Sequence, residues 1–384
     1  MKRSASAARA PADAVGCSMN KPVAVDLFSG AGGLSEGFVQ RGFFAAASVE
    51  ANRYAAQTQR RNHAYRHRFR TEVISADVRS VPAARLAEIC ARAGSSRPHV
   101  LMGGPPCRGF SRSNRRTRNL DNPENRLFWD FLRLVRELSP LIAVIENVAD
   151  LVRFENGAVA DEIQACLEEM HYQVHREVLN ALRYGVPQRR SRVFFVAVES
   201  GMKFAFPEGR NDGEIPVWSA ISDLPRLSNG HAVDEVPYGS PQPLSEYQAK
   251  RRNGKPTVKN NMVSRNNDLV IERYKYIPQG GNWEDIPKEL MHNYADRTRC
   301  HHWIYRRLPE DEASITIMNF RKNMLIHPRE HRGLSVREAA RIQSFNDGYI
   351  FCGPLMHQQQ QVANAVPPLL ARAVARAVRH ALGI

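Results

Sequence analysis

The 384-residue sequence predicts an α/β fold: a doubly wound, Rossmann-like sheet with helices on both faces, joined to a second, smaller domain. Three observations lead there. Short apolar runs alternate with segments whose apolar residues recur at helical spacing, as strands of a parallel sheet alternate with their crossover helices. The first run leads straight into a glycine-rich turn, Ser29-Gly30-Ala31-Gly32-Gly33. Beyond about Glu199 periodicity fades and prolines recur, from Pro207 and Pro216 to Pro243 and Pro256, which marks a domain boundary. The expected division is 1–20 as a disordered extension rich in Ala, Arg and Ser, 21–200 as the main α/β domain, 201–326 as the smaller domain, and 327–384 as a return segment completing the first.

Val23 to Phe28 reads as the first strand and Leu34 to Gln40 as the helix after the glycine turn. Glycines let backbone approach a ligand, and the next helix offers its amino end, which together cradle a nucleotide-type cofactor. The second strand, Ala46 to Val49, ends at Glu50, and the third, Val73 to Ala76, ends at Asp77. Carboxylates at successive strand ends suit an adenosine. A dinucleotide dehydrogenase would show a similar loop, but the sixth position of the Gly-x-Gly-x-x-Gly pattern is Ser35.

The apolar run His99 to Met102 ends at Gly103-Gly104-Pro105-Pro106-Cys107-Arg108-Gly109-Phe110-Ser111. Cys107 thus falls at a strand's carboxyl end, the edge where open α/β sheets bind ligands, and the two prolines remove backbone donors and stiffen the chain before it. Ser111, Arg112 and Arg115 supply groups suited to phosphate oxygens. Leu127 to Leu138 has helical spacing, and Leu141 to Ile145 is an apolar strand ending in Glu146-Asn147-Val148. On its own Glu146 reads equally as a strand-end surface charge or a site acid. Gly157 to Met170 follows as a helix, Tyr172 to Leu182 as an extended return, and Gln188-Arg189-Arg190-Ser191-Arg192 precedes the strand Val193 to Val198. In the smaller domain, Gly280-Gly281-Asn282-Trp283 and the basic stretch His292 to Arg307 stand out. Ser335 and Glu338 have capping-box spacing before a helix, and Leu369 to Leu382 forms a closing helix that packs on the first domain.

The net charge of +15, from 54 basic against 39 acidic side chains, points to a polyanionic partner, nucleic acid before membrane. The six cysteines are scattered without a Cys-x-x-Cys pair and read as reduced thiols of a cytoplasmic protein. Cys300-His301-His302 has no second ligand cluster at zinc spacing, so no metal is expected. No apolar run is long enough to span a bilayer, so no membrane partner is expected.

Six stretches, in order, resemble the motifs of the DNA (cytosine-5)-methyltransferase family of the bacterial, S-adenosylmethionine-dependent type: Asp26 to Gly33, Gly103 to Ser111, Glu146-Asn147-Val148, Gln188-x-Arg190-x-Arg192, Arg332 to Phe345, and Gln361 to Pro368. The resemblance implies a Rossmann-like methyltransferase domain with a target-recognition domain. It implies Cys107 as nucleophile, Glu146 as the acid at the target ring, and Gln188, Arg190 and Arg192 at the catalytic pocket, with Arg192 touching the base. For the cofactor it implies Phe28 against adenine, the loop glycines Gly30 and Gly32, Glu50 on the ribose, Asp77 on the adenine amine, and Leu127 and Asn364 beside them. The partner would be double-stranded DNA, with Ser111, Arg112, Arg115, Gly281, Trp283, Arg297 and Arg299 in contact with it. A monomeric modification enzyme of a restriction-modification system, with a cognate restriction endonuclease acting separately, is the expectation. Two positions depart from the family pattern: Ala363 where glycine precedes the asparagine, which would be strained at positive φ, and Arg108 where glutamine follows the cysteine. Two alternatives remain, an RNA cytosine-5 methyltransferase and a non-catalytic DNA-binding regulator on the same fold.

Overall fold

A computed structural model describes residues 21–66, 71–106, 127–239, 243–294, 303–321 and 324–384. The N-terminal extension and Cys107, Arg108, Ser111, Arg112, Arg115, Arg297 and Arg299 lie outside the described residues. In chain order the first part runs β1 (Val23–Leu27), α1 (Gly33–Val39), β2 (Phe44–Val49), α2 (Arg53–Arg66), β3 (Glu72–Ile74), α3 (Ala83–Arg92), β4 (Val100–Gly103), α4 (Leu127–Leu138), β5 (Ile142–Val148), α5 (Ala158–Glu169), β6 (Tyr172–Asn180), β7 (Gln188–Arg189) and β8 (Ser191–Glu199).

A seven-stranded sheet results, with strand order β3-β2-β1-β4-β5-β8-β6. The first five strands are parallel, and β8 joins antiparallel to both β5 and β6. Strand order reverses between β1 and β4, so the glycine loop and the loop entering Cys107 leave the sheet on either side of that switch point, where open α/β sheets bind ligands. β3 is shorter than expected. It pairs only with β2, whose last residue, Val49, faces Ile74, so Ser75 and Ala76 have no ladder to join.

Apart from β2, where Ala46 and Ala47 both face the second core at a register shift, the strands alternate between two cores, as a period of two requires. Ala24, Met102, Val144 and Phe194 face one core, and Val25, Leu101, Ile145 and Phe195 face the other. The second core is closed by α3, α4 and α5. The first is closed by α1 and the later helices.

That later part comprises α6 (Val217–Ile221), β9 (Val236–Pro237), α7 (Glu246–Arg251), β10 (Thr257–Val258), α8 (Asp268–Tyr276), β11 (Ser314–Ile315), α9 (Val336–Ile342), α10 (Leu355–Asn364) and α11 (Pro368–Ala381). Helix α11 lies on α1 so closely that a Cβ on Gly37 would sit 2.3 Å from the Ala371 Cβ. Val217, Ala220, Leu224 and Phe320 share the first core with the sheet, whereas Tyr274, Ile277, Trp283, Ile286, Met291, Tyr305 and Ile326 form a small third core of their own. The capping box at α9 is complete, with Ser335 Oγ accepting from Glu338 N and Glu338 Oε2 accepting from Ser335 N. Behind it, Arg341 bridges Asp223 and Asp347, tying the segment after α6 to the return segment through buried ion pairs.

Candidate active site

Residue identity shapes the glycine loop directly. Phe28, Gly30 and Gly32 take left-handed φ values of 52°, 53° and 85°, a region glycine enters freely and phenylalanine rarely. A Cβ on Gly30 would meet nothing within 4 Å, so that side of the loop opens on space, whereas one on Gly32 would strike the Tyr349 hydroxyl at 2.8 Å. The underside is pinned by Gln59, whose Nε2 donates to Ser29 Oγ and to Gly30 O, both at 2.7 Å, and by the Tyr349 hydroxyl, which donates to Ala31 O. Glu50 closes the loop from β2. Its Oε2 accepts from Gly30 N at 2.8 Å and its Oε1 from Asn52 N at 2.7 Å. Burial raises its pKa against the pull of these two N–H groups.

Phe28 is half-buried against the second core, as is Leu127 at the start of α4. Asp77 lies past β3 and is engaged on both oxygens by Arg79 at 2.9 and 2.6 Å, which lowers its pKa. Asn364 ends α10, exposed, with Gln360 Nε2 donating to its Oδ1 at 2.6 Å. Ala363 is helical, buried and absent from the left-handed region, so alanine there carries no strain.

Glu146 and Arg192 come from adjacent antiparallel strands. Glu146 faces Phe194 and Arg192 faces Val148, so the two are diagonal neighbours on one face of the sheet. Arg192 Nε reaches Glu146 Oε1 at 3.0 Å. Glu146 is 8% exposed, and burial raises its pKa despite the opposing charges of Arg192 and Arg190. Arg192 spends Nη1 on Ser191 O, which leaves Nη2 for another acceptor. Arg190 lies behind this pair. Its Nη1 and Nη2 donate to Ile317 O and Ala363 O, both at 3.1 Å, and burial, with the neighbouring Arg192, pushes its pKa down. Gln188 is fully buried. Its Nε2 donates to Gln343 Oε1 and its Oε1 accepts from Ile317 N, so its amide is consumed in holding the β7 turn.

The loop that enters Cys107 meets Glu146 directly. A Cβ on Gly104 would lie 3.1 Å from Glu146 Oε2, and Asn147 Nδ2 donates to Pro105 O at 3.2 Å. Carboxylate, guanidinium and the Gly-Pro-Pro entry thus converge at the carboxyl ends of β4 and β5.

In the segment that builds the third core, Trp283 is 9% exposed, and Gly281 closes a tight turn by donating its N–H to Pro278 O while its own O accepts from Arg307 N. As placed, both build the segment's shape; the indole presents little surface to a base. Trp303 and Tyr276, by contrast, are half exposed.

Sequence reasoning passed over Asp26 and Asn147. Asp26, at 1% exposure, accepts from the Ser35 hydroxyl on Oδ2 while Oδ1 has no hydrogen-bond partner, and burial raises its pKa to about 7. Its signal was the charge inside an otherwise apolar first strand. Asn147 was visible as the middle of Glu-Asn-Val, but its tether to Pro105 was not. Among the described residues no group of His, Cys, Asp and Glu is arranged to hold a metal, and no helix is long and apolar enough to cross a membrane.

The C-5 cytosine-specific DNA methylase family matches residues 23–380. The chain is 33% identical over 355 residues to the Type II methyltransferase M1.HphI of Haemophilus parahaemolyticus, covering 92% of this chain and 86% of that protein. It is 32% identical over 379 residues to the Type II methyltransferase M.DdeI of Desulfomicrobium norvegicum, with coverage of 92% and 88%. A solved E. coli prophage protein described as a DNA modification methyltransferase shares the fold, with a TM-score of 0.74 over 95% of this chain and 100% of that one at 22% identity. The expected doubly wound sheet is therefore shared with a solved structure, and the match across nearly the whole sequence places the chain in the C-5 cytosine-specific DNA methylase family.

Proposed function

We propose that the chain transfers a methyl group from S-adenosylmethionine to carbon 5 of a cytosine flipped out of a specific duplex DNA sequence. The observation that carries the reading is the buried Glu146, raised in pKa, held by Arg192 and set against the Gly104–Pro106 entry to Cys107. The residues present fit the cofactor. Open space above Gly30, the desolvated Glu50 carboxylate at the end of β2 and the half-buried Phe28 and Leu127 suit a ribose and an aromatic base, whereas Asp77 would have to share its oxygens with Arg79. Asn364 would close the site from the return segment. When bound, S-adenosylmethionine supplies an electrophilic methyl group.

The protein's part is to make carbon 5 of cytosine nucleophilic. The Cys107 thiolate adds to carbon 6, and electron density moves onto ring nitrogen 3 and the carbonyl oxygen. Glu146, whose pKa burial raises, holds a proton at nitrogen 3, and Arg192 Nη2 donates to the oxygen. Arg190 and Gln188 position Arg192 and the turn before it. A base then takes the carbon 5 proton, and the sulfur leaves with its electron pair. A free thiol titrates at about 8.5, so nearby positive charge has to favour the thiolate. Flipping the base costs a few kcal/mol, offset by DNA contacts from Ser111, Arg112, Arg115, Arg297 and Arg299, with Gly281 and Trp283 shaping the segment that carries them. We read the protein as a monomeric, cytoplasmic modification enzyme of a restriction-modification system, acting on nucleoid DNA, with a cognate endonuclease working separately.

The test is incubation with radiolabelled S-adenosylmethionine and mixed-sequence duplex DNA, beside Cys107→Ser, with methylated cytosines mapped by sequencing. Label at carbon 5 in one short context, absent in the variant, is expected. Transfer to RNA instead, or no transfer with DNA binding intact, would overturn the reading.

A further inference from the structure

The amino-terminal edge of the sheet carries a second concentration of positive charge. Helix α1 spans seven residues and β2 six, so the turn joining them at Gln40 to Phe43 lies about 10 Å from the glycine loop along α1 and about 20 Å from Glu50 along β2. At this turn a cavity of about 490 Å³ is lined by Gln40, Arg41, Gly42, Arg376, Arg379, His380 and Ile384.

The lining follows from helical spacing. Arg376 and Arg379 of the lining share one face of α11 with Arg372, which lies one turn before Arg376 and outside the lining itself, and His380 follows one turn beyond Arg376. Gly42, at φ 86°, lets Arg379 pass: a Cβ there would stand 2.7 Å from Arg379 Nη1, which donates to Arg41 O at 2.7 Å. Arg379 is thereby fixed at the cavity wall.

Among the described residues no Asp or Glu side chain pairs with this cluster, and Arg379 alone finds acceptors, Arg41 O for its Nη1 and Ile384 O for its Nε at 3.4 Å. Other arginines at the surface pair with carboxylates, as Arg79 does with Asp77 and Arg189 with Glu214 and Glu312. Among the described residues the guanidinium groups of Arg41, Arg372 and Arg376 take part in no ion pair or hydrogen bond. Arg41 Nε is buried without an acceptor. Burial lowers the pKa of Arg372, and Arg41, Arg251 and Arg376 lower it further by repulsion.

We propose that this cluster is a second phosphate-binding site, which engages the backbone of duplex DNA outside the segment held at the catalytic edge. A multidentate anion supplies the acceptors these donors lack and relieves their mutual repulsion. The DNA assignment rests on membership of a DNA methylase family and on the net charge of +15. Because duplex DNA stays stiff over about 150 base pairs, a short target duplex at the catalytic edge does not bend round to the opposite edge of the sheet. The occupant is a separate stretch of the same long molecule.

The experiment compares the salt dependence of binding to a 20-base-pair and a 300-base-pair random duplex (about two persistence lengths) for the wild-type chain, Arg372→Gln/Arg376→Gln and Arg372→Lys/Arg376→Lys. Each lost phosphate contact lowers the log–log slope by about 0.9, so the glutamine pair is expected to lose about 1.8 on the long duplex, nothing on the short one, and the lysine pair to restore the slope. Methyl transfer to the short duplex stays unchanged. Should the double variant fold poorly, as judged by circular dichroism, the exposed Arg376→Gln alone carries the test with about half the effect. A slope unchanged on the long duplex overturns the proposal, as does an equal loss on the short duplex, which would put the arginines inside the catalytic footprint. Inorganic pyrophosphate is the other arm. Stabilisation of the wild-type chain by pyrophosphate, with the long-duplex slope unaffected by the substitutions, would assign the cavity to a free phosphate anion and overturn the DNA assignment.

Discussion

Two buried glutamate–arginine pairs in this chain behave in opposite ways. Glu146 meets Arg192 through a single contact at 3.0 Å, and burial leaves its pKa raised. Glu338 is also wholly buried, which alone would raise its pKa, yet Arg332 and the backbone hold it at about 2. The difference is saturation. Arg332 Nη1 and Nη2 take both oxygens of Glu338 at 2.8 and 2.7 Å, and Ser335 N adds a third bond at 2.8 Å. A carboxylate that receives three donors is locked as an anion and ties chain to chain; one that receives a single donor keeps a proton within reach. Identical residue types thus serve packing at one place and, in the function proposed, proton chemistry at the other.

Substitutions should separate the two pairs. Glu146→Gln keeps shape and removes the titrating group, so methyl transfer should fall by about 10²–10⁴-fold while unfolding free energy in urea stays within about 1 kcal/mol. Glu338→Gln should do the reverse, costing about 3 kcal/mol by leaving Arg332 short of counter-charge, with activity per folded molecule retained. If Glu146→Gln unfolds the protein, or Glu338→Gln silences it without unfolding, the two pairs do not divide chemistry from packing in this way.

Acid sharpens the same contrast. Glu338 titrates at about 2 in the folded chain against an ordinary 4.5, so its contribution is complete above about pH 4.5 and drains away as pH falls towards 2. The loss should amount to about 3 kcal/mol and should be missing from the acid limb of Glu338→Gln, read as thermal midpoint against pH. Glu146 has the opposite sign. Its raised pKa means that ionisation costs stability, so its contribution weakens as pH rises, and methyl transfer should decline on the alkaline side as its proton is lost. The smallest effect is expected at Ser335→Ala, where losing the cap that orients Glu338 should cost about 1 kcal/mol in denaturant unfolding.

The sequence revealed the parts of this architecture that are local. The left-handed glycine loop, the apolar strands and the Ser335–Glu338 box are each set by neighbours a few residues away, and the sequence shows them. The strand end at Glu146 was legible as a place; its pairing with Arg192 needed the antiparallel register of β5 and β8, which no spacing encodes. The same holds for Gln188 and Arg190, whose partners Gln343, Ile317 and Ala363 lie more than a hundred positions away. Trp283 shows a different limit: an indole beside glycines in a polar stretch reads as surface, and only the third core shows what it packs against. Ala363 departs from the family pattern without cost because its backbone is helical.

The close seating of α11 on α1 also bears on how the chain is made. One face of the sheet is built from strands translated early, yet the helix that covers it arrives more than three hundred residues after α1. At about 5–20 residues per second, roughly 15–70 s pass on the ribosome with Leu34 and Phe38 lacking their final cover. The nascent chain therefore presents a wide apolar surface for most of its synthesis, and its yield in the cell should track the supply of chaperones more closely than the stability of the finished protein does.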